Sequence, residues 1–170
     1  MKTKTIELFE YSELSDEAKQ KALSDWNEHN DNPLMQSHMI NLLKEKLEER
    51  NIRYDANSID VRYSLSHCQG DGFMFEGKLY WEGVVVRIKH SGHYYHSNSK
   101  DVQFYTGDET ESLYSHTIAD KFEKVYQEIC KEMEQIGYDE IEYDRSAENF
   151  ESVCEANEYY FTKEGKLNQF

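Results

Sequence analysis

Proline occurs once in the 170 residues, at Pro33, and glycine only eight times. That scarcity excludes a proline-rich linker, a collagen-like repeat and a low-complexity coil. Cysteine is scarce as well. Cys68, Cys130 and Cys154 are odd in number and widely spaced, so they make neither a zinc pair nor a disulfide framework. No apolar run approaches a membrane span, and Met1 to Thr5 leads into no secretory hydrophobic region. These absences set the expectation of a cytoplasmic protein with no membrane partner. Positive charge is the last shortage: 19 Lys and Arg stand against 34 Asp and Glu, a net −15. Residues 108–164 alone hold 17 acidic against 5 basic side chains, or −12. Such a chain is not expected to bind duplex DNA, where affinity depends on cationic neutralisation of phosphate. A partner protein with a basic surface suits it better.

What the chain has is aromatics, 13 Tyr and 8 Phe, enough for a core in a single domain over residues 1–170. Thr3 to Phe9 reads as a short strand. Ser15 caps a helix opened by Asp16 and Glu17, with Ala18, Ala22, Leu23 and Trp26 on one face. Asn32 and Pro33 are placed to start a second helix, whose buried stripe is Met35, Met39, Leu42, Leu43 and Leu47. A third helix follows the polar stretch Asp108–Ser115, carrying Ile118, Phe122, Val125, Ile129, Met133 and Ile136, with Gly137 as its stop. A fourth runs from about Ser146 to Glu155 with Phe150 and Val153 inward. Tyr159 to Thr162 reads as an edge strand and Lys163 to Lys166 as a turn.

Between the helices, residues 58–107 carry a period-2 pattern. Ile59, Val61, Tyr63 and Leu65 alternate with polar residues. Phe73, Phe75, Leu79 and Trp81 alternate with Met74, Glu76, Lys78 and Tyr80. Val84, Val86 and Ile88 resume after Glu82-Gly83, and Val102 to Thr106 adds a fourth run. The fold class is therefore α+β: an antiparallel meander of four to six strands with helices on one face. Pairing Trp81 with Val84 sets Leu79 against Val86 and extrapolates to Phe75 with His90, Phe73 with Gly92, Asp71 with Tyr94 and Gln69 with His96. A bulged three-residue loop at Gly83 would shift those pairs by one. Either way residues 67–72 and 90–99 converge at one rim of the sheet.

That rim is where chemistry would gather. His90, His96, Asp71 and Tyr94 form a candidate catalytic set for phosphodiester or nucleotide chemistry, with two imidazoles as base and acid and Asp71 orienting one of them. Ser66, His67, Gln69, Gly70 and Asp71 form a candidate binding set, with His93 and Tyr95 on the loop's other face. Ser66 or Gln69 would hold a phosphate oxygen, and the glycines would admit backbone N–H groups to an anion. His90, His96 and Asp71 also suit a divalent metal by residue type, but no Cys or HExxH spacing accompanies them, so no metal and no cofactor are expected. The bland alternative is a tight turn capped by Asp71. His90 is expected deep against Phe75, and Asp71 and His96 nearer solvent. The acidic third supplies a separate candidate interface: Asp120, Glu123, Glu128, Glu132 and Glu134, interrupted by Lys121, Lys124 and Lys131. Its bland reading is a solvated helix face.

Four segments carry a resemblance: Phe9 to Ala22, Tyr63-Ser-Leu-Ser-His-Cys-Gln-Gly-Asp-Gly-Phe-Met-Phe-Glu-Gly77, His90-Ser-Gly-His-Tyr-Tyr-His-Ser97, and Ala156 to Gly165. Together they resemble a group of small acidic proteins common in bacteriophage genomes, some labelled antitoxin-like, and Gln69-Gly-Asp-Gly72 is the most specific part. The resemblance implies a phage or mobile-element accessory protein in a bacterial cytoplasm. Proteins of that kind often inhibit host defence nucleases, CRISPR effectors among them. The resulting expectation is a non-enzymatic, anti-CRISPR-like inhibitor acting through its acidic surface; the alternative is a small enzyme or sensor at the rim.

Overall fold

A computed structural model describes residues 6–30, 35–113 and 115–168 of the chain. Its sheet forms around one long strand, β3 (Gly72–Trp81), which turns back into β4 (Val84–His90). Glu82 and Gly83 between them have φ of 45° and 81°. Two positive φ values in a two-residue loop make the turn whose twist matches a hairpin. Trp81 therefore pairs with Val84 and Leu79 with Val86, as the alternation requires, and the bulged register does not occur. β5 (Lys100–Tyr105) lies on the far edge of β4. β1 (Arg53–Tyr54) and β2 (Asp60–Ser64) share the other edge of β3 in succession, all antiparallel. The α+β class and the antiparallel meander are as expected.

The expected pairs beyond Gly77 are not ladder pairs. The β3–β4 ladder ends at Gly77 with Ile88, and His90 pairs with Lys100 on β5. The cause is a helix side chain. Tyr126 reaches Phe75 and its hydroxyl serves both backbone groups there, donating to the carbonyl at 2.8 Å and accepting from the N–H at 3.1 Å. Glu76 accepts the N–H of His90 at 3.0 Å on the opposite side of the gap. β4 is thus replaced along β3 by two side chains. Met74, expected on the polar face, is fully buried.

The chain divides into two compact units, residues 33–138 and, discontinuously, 1–32 with 139–170. In the first, α2 (Met35–Glu49) buries Met35, Met39, Leu43 and Leu47. The expected cap at Asn32 and Pro33 lies outside the described residues. α3 (His116–Asp144) begins at Ser115, whose hydroxyl accepts the Ile118 N–H, and buries Phe122, Tyr126, Ile129, Cys130 and Met133. The helix does not stop at Gly137. That glycine is buried in its interior, where a Cβ would come 2.4 Å from Leu65 Cδ1 and 3.2 Å from Met39 Cε. The sequence places glycine there for close packing, which mimics a stop signal.

In the second unit, α1 (Asp16–His29) is capped by Ser15 and α4 (Ala147–Ala156) by Ser146. Ala18 and Ala22 of α1 pack with Tyr11, Leu14, Phe150, Cys154 and Phe161. Of the expected terminal strands the described residues form only isolated bridges, Phe9 with Phe161 and Phe161 with Leu167; Thr3 to Thr5 lie outside them. Gly165, at φ 78°, lets the turn after Phe161 lie against the backbone of Ala18.

Two substitutions test these supports. Tyr126→Phe strands a buried N–H and a buried carbonyl at Phe75, and should cost on the order of 2–4 kcal/mol. Urea unfolding should show a lower midpoint with an unchanged slope. Gly165→Ala would bring a Cβ 2.2 Å from the Ala18 carbonyl oxygen at a backbone angle alanine resists. A loss of about 2 kcal/mol or more is expected.

Candidate functional site

The two segments expected to converge do so. A Cβ on Gly70 would touch the Tyr94 ring at 3.4 Å, and one on Gly72 would sit 2.8 Å from His96 Nδ1 and 3.0 Å from the Tyr95 carbonyl. Both glycines are there because the 90–99 loop lies directly on the 67–72 loop, and Gly70 also needs its φ of 109°. Neighbours differ from the extrapolated pairs: Gly70 meets Tyr94 and Gly72 meets His96, where Asp71 and Gln69 were expected.

Asp71 organises the first loop. Its carboxylate accepts hydrogen bonds from the Ser64 hydroxyl at 3.0 Å, the Ser66 N–H at 2.6 Å, the Cys68 N–H at 3.1 Å and the Cys68 thiol at 3.3 Å. A fifth comes from the hydroxyl of Tyr138, on α3, at 2.8 Å. Five donors converge on one carboxylate. Desolvation pushes its pKa up, but the hydrogen bonds from Tyr138, Cys68 and Ser64 outweigh that and hold it well below the ordinary 3.8. The same bond pushes Tyr138 up to about 12. His67, at a left-handed φ of 57°, stacks on the Tyr138 ring at 4.5 Å.

The second loop is held differently. The His90 side chain is half-buried, not deep against Phe75 as expected. Its Nε2–H donates to the Tyr94 carbonyl at 3.1 Å, and its ring lies 5.5 Å from that of Tyr95. Tyr94, 55% exposed, has His93 at 5.1 Å and His96 at 5.5 Å. Lys100 anchors the loop from below. Its side chain is 5% exposed, bonded to the Ser97 carbonyl and, at 2.9 Å, to Glu123 Oε1, with the Tyr126 ring 4.4 Å away. Gln127 adds a hydrogen bond to Asn98 at 3.1 Å.

The rim therefore gathers His67, Gly70, Asp71, Tyr94 and His96 in one place, while Asp71 is spent on its own turn and on Tyr138. No hydrogen bond joins it to His90 or His96 among the described residues. Gln69 and Ser66 are exposed on the loop. Among the described residues no three His, Cys, Asp or Glu side chains are placed to hold a metal ion. Sequence reading missed Tyr138, Lys100, Ser64 and Glu76 as members of this region. Tyr138 was hidden because Gly137 looked like a helix end.

The acidic helix divides into committed and outward carboxylates. Glu123 is taken by Lys100 and by Gln127 at 2.7 Å, and Glu132 by Arg50. Asp120 and Glu128 are exposed, and Glu134 is half-buried near Tyr138. No helix among the described residues is long and apolar enough to cross a membrane. No family model, curated protein or solved structure matches the chain.

The Asp71 turn has a pH signature. A carboxylate with a depressed pKa in the folded state contributes stability that is present above its unfolded pKa and is lost as pH falls below it. The melting temperature should thus drop as pH is lowered from about 4, the unfolded value. Asp71→Asn should melt lower than the wild type at neutral pH, and the gap should narrow steadily as pH falls below about 4. Parallel melting curves from pH 7 down to 2.5 would check this, and a constant gap would refute it.

Proposed function

We propose that this protein is a non-enzymatic binding protein of phage type, which inhibits a host nucleic-acid-targeting defence protein by occupying its basic surface. The observation that carries the reading is the charge distribution: −12 of −15 lies in residues 108–164, with Asp120 and Glu128 outward on a 29-residue helix. A partner built to hold nucleic acid presents cations, and carboxylates on a rigid helix offer them a competing anionic surface. The resemblance of the Ser66 to Gly72 and His90 to Ser97 segments to phage proteins supports the partner class, an RNA-guided effector nuclease of the bacterial host. The alternative, phosphodiester or nucleotide chemistry at His90, His96 and Asp71, draws less support because both oxygens of Asp71 are already engaged.

The test is target cleavage by RNA-guided effector nucleases with and without the protein. Inhibition should weaken with added salt and fall about tenfold in the Asp120→Lys, Glu128→Lys double variant, chiefly through slower association. Glu123 and Glu132 are left alone because reversing them would also break their pairings with Lys100 and Arg50. Cleavage that proceeds unhindered for every effector tried would overturn the reading. Inhibition indifferent to both charge and salt would remove the acidic helix from it.

A further inference from the structure

The outward face of the sheet contrasts with the rest of this acidic chain. Ladder register places Arg53, Tyr80, Val85 and Tyr105 in one row across β1, β3, β4 and β5. Lys78, Arg87 and Gln103 make the next row on the same face. Val85 is only 1% exposed because it lies between two tyrosines in its row. Cations sit against both rings: Arg53 and Lys78 at 5.8 and 5.2 Å from the Tyr80 ring, and Arg87 at 4.8 Å from Tyr105. Beyond them Lys89 pairs with Asp101, opposite in charge, and Glu76 is held by Arg62.

One anion serves both cations of the second row. The loop after β5 brings Glu109 back over the sheet, where its carboxylate bridges Lys78 and Arg87. Glu109 holds that position at φ 61°, a strained angle for a residue with a side chain. The loop is tied by Asp108 to the Thr106 and Thr110 hydroxyls at 2.6 and 2.9 Å. A carboxylate presented at a strained angle to two cations occupies the position an external anion would take.

We propose that this face, centred on Arg53, Lys78, Tyr80, Arg87 and Tyr105, binds single-stranded nucleic acid, with the Glu109 carboxylate as its built-in competitor. Lysine and arginine would meet phosphates, and the tyrosine rings and guanidinium planes would meet unpaired bases. Four strands about 4.8 Å apart give a platform about 14 Å across, room for two or three nucleotides. Stacking requires free base faces, so a duplex gains nothing from the rings. The distant acidic charge is screened within about 8 Å at physiological salt, which leaves the local cations to decide. The inference rests on the sheet alone and is independent of the role proposed for the acidic helix.

The experiment is fluorescence anisotropy with a labelled 12-nucleotide oligouridine, and the same probe annealed to its complement, against the full chain. Glu109→Gln should free both cations and tighten single-strand binding about fivefold over the wild type, in the range of a surface ionic interaction. Arg87→Gln in that background should reverse the gain and flatten the salt dependence by about 0.7 in slope for each phosphate left without its cation. Tyr80→Leu, which keeps Val85 covered, should weaken binding at least fivefold with the melting temperature checked alongside. Four results would overturn the proposal: no saturable binding by Glu109→Gln, binding indifferent to Arg87 and Tyr80, equal affinity for the annealed probe, or equal displacement by poly-glutamate.

Discussion

One hydroxyl governs how this sheet is built. The Tyr126 oxygen both donates to and accepts from the backbone of Phe75, so it does at one residue what a neighbouring strand would do. Its ring stacks on that of Phe75 at 4.5 Å, fixing α3 over the sheet in register as well as in contact. Burial pushes the phenol pKa far above its ordinary value, so the proton stays in place to be donated. Because β4 is not needed along Phe75, the chain after Ile88 is free to leave the ladder. That departure creates the 90–99 loop, and with it the rim.

The rim depends on the same helix at two further points. Lys100, packed on the Tyr126 ring, ties the second loop down through Ser97 and Glu123, and Tyr138 ties the first through Asp71. A single α-helix thereby sets the distance between both loops. The resulting surface holds its shape through polar interactions the chain makes with itself. This is why the carboxylate that looked most like a catalytic partner is engaged in structure.

Much of the architecture was legible. Alternation from Phe73 to Ile88, with Glu82-Gly83 between, marked the hairpin and left two registers, of which the two-residue loop is the one formed; Ser15 caps its helix as expected, and the last helix starts at Ser146. What could not be read was tertiary. Gly137 carries the same letter whether it ends a helix or clears space for Leu65, and only the packed structure distinguishes the two. β1 is two residues long, too short for any period to show. The pairs beyond Gly77 failed because extrapolating a ladder assumes that a strand continues, and a side chain fifty-one residues away ended it. At the rim, convergence followed from topology, but the partners of Asp71 followed from local turn geometry and from a helix read as ending at Gly137, seven residues too soon.

The division of the chain also has a consequence for its synthesis. Residues 33–138 form one continuous stretch, whereas the other unit is assembled from the segments on either side of it, 1–32 and 139–170. Phe9 cannot find Phe161 until 152 further residues have been translated. Until then α1 has only Tyr11 and Leu14 of that core to set against Ala18 and Ala22, because Phe150, Cys154 and Phe161 are still to come. The cost of closing so long a loop grows only slowly with its length, and prior folding of the intervening stretch lowers it. The nascent chain therefore carries a half-made second core throughout the synthesis of the residues between Phe9 and Phe161.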